Sequence, residues 1–559
     1  MDRRDFLTAH RKATPETQAD QNHINRVSAG GLNPYTGTFG TTEVVHLLKR
    51  TMFGAAKSDV DYFKSKTVIQ AVDELLNPAT PLPSPPVKDY DTTGAAVPDT
   101  IIAAGATWVS DPNTDGTINS RRRAAFKKWW FGVMINQDRS IREKMTMFWH
   151  NHFSTESTDI DNAQYVYKHH NLLRSSSLGN FKVLVKEVTI DPGMLRYLNG
   201  YLNTNTAPDE NYGRELQELF TLGKENNPNY TEDDVKAAAR VLTGWRIQAS
   251  TISSFYDNSK HDKNNKQFST FFSSHIVTGK NSATAGDEEV TDLINMIFDK
   301  KQEVSLFIVK KIYRWFCYYT IDADTETNII LPLAQIFRDS NWEIKPVLSA
   351  LLKSEHFFDL MSRGCLIKSP VENIVGLCRE FNIVFPNPST DYLAAYGMWN
   401  FLVQQATNMN QNIGDPPSVA GWPSYYQEPQ FYELWINSDT LPKRNAFADR
   451  MIQSGYTFSG KTIKIDPVAF TKLLSNPGDP NILINDALEL LYRVPLSDVS
   501  KQVIKKQILL SNQDQDYYWT NAWNAYLAAP TDNTVYQTVF QRLRDLYKYL
   551  MGLAEYQLA

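Results

Sequence analysis

The stretch Ser369-Pro370-Val371-Glu372 begins the clearest helix of the chain. Serine favours the N-cap, proline is tolerated at the first helical position, and a glutamate three residues after the cap completes a capping box. The apolar stripe that follows at helical spacing consists of Val371, Ile374, Val375 and Cys378. The stretch therefore predicts a buried amphipathic helix in which Cys378 belongs to the core and is not a nucleophile.

Similar helix signals recur on both sides of this stretch, so we expect a mainly α, multi-helix globular protein. Its expected parts are an N-terminal arm (1–40), a helical domain (41–460) and a C-terminal helical extension (461–559) packed on that body. Six prolines between residues 78 and 98 predict an extended surface strap, since proline does not continue a helix. The polar residues 249–287 predict a long inserted loop or a minor β excursion.

The composition excludes several classes of protein. Lysine and arginine number 57 against 62 aspartate and glutamate residues, a net charge of −5 that argues against a nucleic-acid partner. The three cysteines form no CxxC pair, and no apolar run is long enough to predict a transmembrane segment. The basic cluster Arg121-Arg122-Arg123 with Lys127-Lys128 is expected to be a solvated helix face, with an anion-binding patch as the alternative.

The amino terminus, with Arg3-Arg4 before Asp5-Phe6-Leu7, has the twin-arginine export pattern, but a polar segment follows where an apolar one is required. One interpretation is a chance match in a protein that stays in the cytoplasm. The other is export to the periplasm together with a partner that carries a working signal.

A histidine-rich run, Phe148-Trp149-His150-Asn151-His152-Phe153, supplies the first group of candidate site residues. Helical spacing places His152 on the buried stripe that begins at Ile141, whereas His150 faces nearly the opposite way. Both histidines can bind one metal ion only if the helix breaks near Asn151. A hydrogen-bonded core His152, a general acid or base, and a shared metal all remain open.

A second group lies between residues 209 and 223. Asn211, Glu215 and Glu218 are spaced i, i+4 and i+7, so that one helix would present an amide and two carboxylates to a single site. The alternative is a surface ion-pair ladder, because Glu210, Arg214 and Glu218 are spaced i, i+4 and i+8. The spacing does not decide between them.

Two irregular stretches carry further candidates. His261-Asp262 and His275 lie in the polar insert and are expected to be exposed to solvent and not to be ligands. Trp422, between Gly421 and Pro423, and the later Trp435 are typical of a rigid aromatic platform that binds sugars or flat apolar groups. A packed structural lid is the other interpretation of these tryptophans.

In this order the motifs resemble the bacterial family called domain of unknown function 1800. The matching residues include His46-Leu47-Leu48-Lys49-Arg50, the run 148–153, several motifs between residues 191 and 262, Lys368-Ser369-Pro370-Val371-Glu372 and Gly421-Trp422-Pro423. The resemblance covers about residues 41 to 450. It implies a mostly helical bacterial protein that is frequently encoded beside an exported sulfatase-like or alkaline-phosphatase-like protein, and it implies no activity. Ser424-Tyr425 departs from the family, which usually has glycines there.

We therefore expect an enzyme-like polar site where the two groups meet. Its general base would be His150 or Glu215, and Arg214 would bind an anion or orient a carboxylate. A divalent metal is the candidate cofactor, with His150, His152, Glu215 and Glu218 as ligands. The expected substrate contacts are Trp149, Asn211, Trp422 and Trp435.

Two alternatives use the same tryptophans without catalysis. One is a binding or maturation partner of the sulfatase-like neighbour, with Trp422 and Trp435 forming the contact surface. The other, weaker, alternative is a carbohydrate-binding protein. The residues alone do not decide whether the chain is an enzyme.

Overall fold

The computed structural model describes residues 30–91, 94–223, 230–426 and 432–559. The twin-arginine pattern and most of the expected N-terminal arm lie outside these residues. Helices account for 58% of the chain and strands for 5%, which confirms the mainly α class. No helix within the described ranges combines the length and apolar character that crossing a membrane requires.

The first half of the chain is mostly helical. Its helices are α1 (Thr41–Thr51), α2 (Lys57–Lys64), α3 (Val68–Leu76), α4 (Gly116–Ile135), α5 (Arg142–His152), α6 (Ser157–Ile160), α7 (Ala163–Ser175), α8 (Phe181–Thr189), α9 (Pro192–Tyr197), α10 (Asn211–Glu215, continued as a π-helix over Leu216–Thr221) and α11 (Glu232–Val241).

Two small hairpins then precede another series of helices. The hairpins pair β1 (Trp245–Gln248) with β2 (Ser253–Tyr256), and β3 (Lys266–Gln267) with β4 (Ile276–Val277). The helices that follow are α12 (Ala285–Phe298), α13 (Lys301–Phe316), α14 (Ala323–Thr325, continued as a π-helix over Glu326–Ile330), α15 (Leu331–Asp339), α16 (Ile344–Leu352), α17 (Glu355–Phe358), α18 (Pro370–Glu380), α19 (Tyr392–Asn408) and α20 (Pro423–Tyr426).

The remaining elements complete the C-terminal part. They are α21 (Thr440–Gln453), the hairpin of β5 (Tyr456–Phe458) and β6 (Lys461–Ile463), α22 (Pro467–Thr471), α23 (Pro480–Leu491), α24 (Asp498–Val503, continued as a π-helix over Ile504–Leu509), α25 (Tyr517–Ala528) and α26 (Asn533–Met551). One hydrophobic core cluster extends from Val44 to Tyr556. The domain boundary expected near residue 460 stays a prediction.

Helix α18 begins as the sequence predicts. Ser369 Oγ accepts a hydrogen bond from the backbone N–H of Glu372, and the Glu372 carboxylate accepts one from the backbone N–H of Ser369. Cys378 is buried in the core, as expected. At Gly376 the helix passes directly against Gly54, where an added Cβ on Gly54 would lie 2.8 Å from the Gly376 Cα. Helix α18 and the chain that leaves α1 are therefore in backbone contact.

The basic residues Arg121 to Lys128 on α4 do not form the solvated helix face that we expected. Arg122 is fully buried and binds Asp99 through two nitrogens, at 2.9 and 2.7 Å. Arg121 pairs with Asp91, and Lys128 pairs with Asp89 at 2.6 Å. Because these carboxylates lie in the proline-rich strap or directly after it, the basic residues attach the strap to α4.

The insert is a pair of hairpins, in agreement with the expected β excursion. His261, however, is buried, which corrects the prediction that it is exposed. Its Nε2 lies 3.1 Å from Glu289 Oε1, and Glu289 also accepts a hydrogen bond from the buried Lys266 at 2.5 Å. Polar composition alone misled the prediction, since these side chains satisfy one another inside the insert.

Candidate functional site

Histidine 152 brings the two predicted groups of residues together. Its Nε2 donates to the backbone carbonyl of Phe220, 3.1 Å away, in the π-helical continuation of α10. Its Nδ1 lies 3.3 Å from the ammonium of Lys311 on α13 and accepts from it. Burial lowers the pKa of His152 well below its usual value, and the Lys311 charge lowers it further. His152 is therefore a neutral, hydrogen-bonded imidazole in the core.

Histidine 150 faces a different part of the core. Its ring lies 5.1 Å from Trp130, 5.9 Å from Trp422 and 6.3 Å from His170, measured between ring centroids. Neither ring nitrogen has a hydrogen-bond partner among the described residues. Burial lowers the pKa of His150 to about 3. Helix α5 continues unbroken through Asn151, so the two histidines do not converge on one point.

The neighbouring His170 has a defined tautomer. Its Nδ1 accepts a hydrogen bond from Arg174 at 3.0 Å, and Arg174 also forms a two-point ion pair with Glu143. Arginine is only a donor, so the proton of this neutral imidazole is on Nε2. That nitrogen lies in the same aromatic pocket as His150. Because it carries a proton, it does not bind a metal ion.

The second predicted group lies at the surface end of α10. Arg214 donates to both carboxylate oxygens of Glu232, at 2.8 and 2.6 Å, and to Glu210 at 3.3 Å. The Glu210–Arg214 step of the alternative ion-pair ladder is thus present. After Glu215 the helix has π geometry, whose wider turn rotates Glu218 away from the straight stripe expected of a continuous α-helix.

No group of three or more His, Cys, Asp and Glu side chains is placed to hold a metal ion within residues 30–91, 94–223, 230–426 and 432–559. The expected metal ligands are not brought together, because His150 and His152 lie in different surroundings and do not converge on one point. A divalent metal elsewhere in the protein stays a prediction.

The tryptophans expected to contact a substrate are buried. Trp149 packs against Phe181 and donates from Nε1 to the carbonyl of Ser177 at 3.0 Å. Trp422 is 2% exposed and Trp435 is 3% exposed, so the interpretation as an exposed platform is wrong and the packed lid is found. The lid is fastened to α5, since the backbone N–H of Trp422 donates to Asn151 Oδ1 at 3.0 Å.

A small, partly open cavity of about 30 Å³ lies beside Trp435, and we call it the basic chamber. Its charged lining residues are Arg50 of α1, Arg314 of α13 and Glu372 of α18. Aromatic and aliphatic side chains form the rest of the wall. The complete lining consists of Arg50, Arg314, Trp315, Leu366, Ile367, Glu372, Tyr425, Tyr432, Trp435 and Ala559.

Arg50 belongs to a larger set of buried basic side chains, most of which do not line the chamber themselves. We call this set the buried basic cluster: Lys49, Arg50, Lys144, Lys368, Arg444 and Arg493. Two of them are neutralised by carboxylates of α18. Lys49 binds Glu380 at 2.5 Å, and Lys144 binds Glu372. The charges form one network, because Lys368 interacts electrostatically with both glutamates and with Arg444 and Arg493.

The other four basic groups have no carboxylate within ion-pair distance in the described part of the chain. Arg50 donates to the Ser362 carbonyl and to Cys365 Sγ, and Arg493 donates to the carbonyls of Thr42 and Glu489. Arg444 donates to the carbonyls of Lys368 and Trp435 and, at 3.4 Å, to Gln557 Oε1. The Lys368 ammonium lies 4.1 Å from the centre of the Tyr556 ring. None of the four side chains belongs to a residue more than 6% exposed.

Burial opposes the charged form of these groups. It lowers the pKa of Lys49 to about 7, that of Arg493 to about 9 and that of Arg444 to about 10, although glutamates nearby act in the other direction. It also lowers the pKa of Lys368 and of Lys144. The uncharged form of these basic groups is thus favoured unless additional negative charge lies near them.

Sequence reasoning missed this site, although its residues stand in two of the motifs that carried the resemblance. Lys49 and Arg50 end a helix whose residues from Val44 to Thr51 are all buried. The available signal is the apolar pairs Val44-Val45 and Leu47-Leu48 followed directly by two basic residues, since buried lysine and arginine need partners.

The protein is thus mainly helical, with a small, partly open cavity whose charged lining residues are two arginines and a glutamate. The model of the family DUF1800, described as a protein of unknown function, matches residues 46–558, and the chain belongs to this family. The match continues through the C-terminal part, where no motif was identified in the sequence. No curated protein and no solved structure matches the chain.

Proposed function

We propose that the protein binds a small anion, or the anionic group of a larger ligand, in the basic chamber. The observation that carries the proposal is the buried Arg50, which lines the cavity and has no carboxylate at ion-pair distance among the described residues. A carboxylate, phosphate or sulfate group would supply the missing negative charge. Arg50, which lines the cavity, is the expected direct contact.

The energetics favour such a ligand. Leaving an ionised group buried without a partner costs several kcal/mol even after the protein relaxes, on the order of 3–5 kcal/mol where one partner of a buried pair is removed. Arginine keeps its proton under ordinary conditions, so the guanidinium charge of Arg50 persists at the cavity. The Nε of Arg50 has no hydrogen-bond partner among the described residues, and planar guanidinium groups bind oxyanions through two parallel hydrogen bonds.

The aromatic wall limits what else the ligand carries. Tyr425 packs against Trp315, with 4.8 Å between ring centroids, and against Trp435 at 5.5 Å. Tyr432 lies on the same wall. A flat or apolar portion next to the anionic group is compatible with these rings.

The test measures how anions change the stability of the purified protein. We expect acetate, phosphate or sulfate to raise the melting temperature above that in chloride of equal ionic strength. A ligand at 100 times its Kd contributes about 2.7 kcal/mol. The variant Arg50→Gln should lose this stabilisation. Arg122→Gln, which removes a buried arginine elsewhere, is the matched control and should keep it.

Two results would contradict the proposal. One is a wild-type protein that none of the three anions stabilises relative to chloride. The other is an equal stabilisation of wild type and Arg50→Gln, which would reduce the effect to the general action of excluded salts on any folded protein.

An enzyme-like role for His150, Arg214 and Glu215 stays a prediction with less support. Arg214 is engaged by Glu232, and His150 lies in an aromatic pocket away from α10. The partnership with a sulfatase-like protein and carbohydrate binding also stay predictions. The burial of Trp422 and Trp435 removes the exposed contact surface on which both had depended.

A further inference from the structure

We propose that a groove between α8 and α12 binds a short apolar peptide, of the size of a dipeptide, by its ammonium and its carboxylate. The groove is a cavity of about 480 Å³, which falls within the range of about 300–1,000 Å³ that is typical of small-molecule sites. It shares no lining residue with the basic chamber, so this inference does not depend on anion binding there.

Part of the groove surface is apolar. Ile294 of α12 is 2% exposed, and Ile190, at the end of α8, is partly buried. Val183 lies on the same face of α8 as Ile190, seven residues earlier, and is 53% exposed. A ligand with apolar side chains would remove this surface from water, which favours binding.

The groove contains two lysines, of which one is already paired. Lys186 of α8 binds Asp287 of α12 at 2.8 Å. The ammonium of Lys182, by contrast, lies 5.6 Å from the centre of the Phe298 ring and has no carboxylate at ion-pair distance in the described ranges. Asp299 attracts it only from a greater distance. Lys182 is therefore the cation that the groove offers to a ligand.

Glu187 is the corresponding anion. No charged side chain of the described residues perturbs it, and the loss of surrounding water alone raises the pKa of its carboxyl. On a helix with about 100° per residue, Lys182 and Glu187 are about 140° apart, and Val183 lies between them. The cation and the anion thus flank the apolar strip of α8, and a ligand that lies along this strip can reach both.

The spacing of the two charges selects the length of the ligand. Five residues of helix advance about 7.5 Å along the axis, so the side chains of Lys182 and Glu187 start at least that far apart. A single amino acid carries both of its charges on one carbon atom, whereas two residues of extended peptide span about 7 Å. A dipeptide can therefore place its ammonium at Glu187 and its carboxylate at Lys182 while its side chains lie on Val183 and Ile190.

The experiment measures the Kd of leucyl-leucine and of three related ligands for the full chain by titration calorimetry. N-acetyl-leucyl-leucine has no ammonium, leucyl-leucine amide has no terminal carboxylate, and glycyl-glycine has no apolar side chain. An ion pair between partly exposed groups changes an affinity by up to about fivefold, so capping either end should raise the Kd by about that factor. Glycyl-glycine should bind more weakly than leucyl-leucine.

Two variants assign each end of the peptide to its partner. In Glu187→Gln the affinity for leucyl-leucine should fall by about fivefold, and acetylation should cost nothing further, because the partner of the ammonium is gone. In Lys182→Met the same should hold for amidation. Lys236→Met removes an exposed lysine of α11, outside the groove, and should bind all four ligands like the wild type.

Two results would overturn the inference. One is a wild-type protein that binds leucyl-leucine no more tightly than glycyl-glycine. The other is a loss on acetylation that is equal in wild type and Glu187→Gln, or a loss on amidation that is equal in wild type and Lys182→Met, since the ends of the peptide would then meet other groups. Neither result bears on the anion site, which is tested with other ligands and another variant.

Discussion

Replacing His150 with phenylalanine should make the protein more resistant to acid. The imidazole is only 3% exposed, and neither of its nitrogens has a hydrogen-bond partner among the described residues. Trp130, Trp422 and His170 surround it. A phenyl ring fills similar space without a polar atom, so the substitution removes a titrating group without leaving a new unpaired one.

The size of the effect follows from the pKa of the imidazole in the two states. In the unfolded chain His150 takes up a proton near pH 6.5, whereas in the folded protein burial holds its pKa at about 3. Below pH 6.5 the unfolded state therefore binds more protons, and this residue lowers the free energy of unfolding by about 1.4 kcal/mol per pH unit. At pH 6.5 the unfolded imidazole is already half protonated, so the loss between pH 6.5 and 4.5 is about 2.3 kcal/mol, and phenylalanine abolishes it.

The assay is urea unfolding of wild type and His150→Phe at pH 6.5, 5.5 and 4.5. The difference in the free energy of unfolding should widen in favour of the variant by about 2.3 kcal/mol over this range. His275→Phe changes a partly exposed histidine in the insert and serves as the control, with no such widening. A difference that stays constant from pH 6.5 to 4.5 would refute the reasoning.

Two further predictions concern the strap and the lid. Arg122→Met leaves Asp99 buried without its cation and should lower the free energy of unfolding by about 3–5 kcal/mol. Urea unfolding measures this loss, and limited proteolysis shows whether the strap detaches. A variant as stable as the wild type, with a protease-resistant strap, would contradict the prediction. Gly421→Ala should lower the melting temperature, because an added Cβ would lie 2.3 Å from Asn151 Oδ1 and the backbone φ of +94° disfavours a side chain. The control Gly116→Ala has open space and should melt like the wild type.

The sequence predicts those parts of the fold whose contacts join residues close together in the chain. The capping box at Ser369 forms within four residues, and the structure contains it with the expected hydrogen bonds. The insert likewise contains small hairpins, as the β alternative predicted, although the first strand begins at Trp245, before the predicted range. Such features can be predicted from the sequence because both partners of each hydrogen bond lie within a short stretch of it.

The basic chamber is not readable in this way, because its contacts join distant parts of the chain. Lys49 and Glu380 are 331 residues apart, and Lys144 and Glu372 are 228 residues apart. Helical spacing tells which side of a helix a residue occupies, but it does not tell which other helix lies opposite. The same limit explains why His152 was placed correctly on the buried stripe while its partner, the Phe220 carbonyl, was not foreseen.

The contact between Gly54 and Gly376 has a consequence for the dimensions of the chamber. On Gly376 an added Cβ would lie 2.7 Å from the carbonyl oxygen of Phe53, so neither glycine has room for a methyl group. Because Gly54 and Gly376 have no side chains, the end of α1 can lie directly against α18. This contact fixes the distance between Arg50 on α1 and Glu372 on α18. An alanine at either position would act as a wedge that alters the width of the cavity while every charged residue stays in the protein.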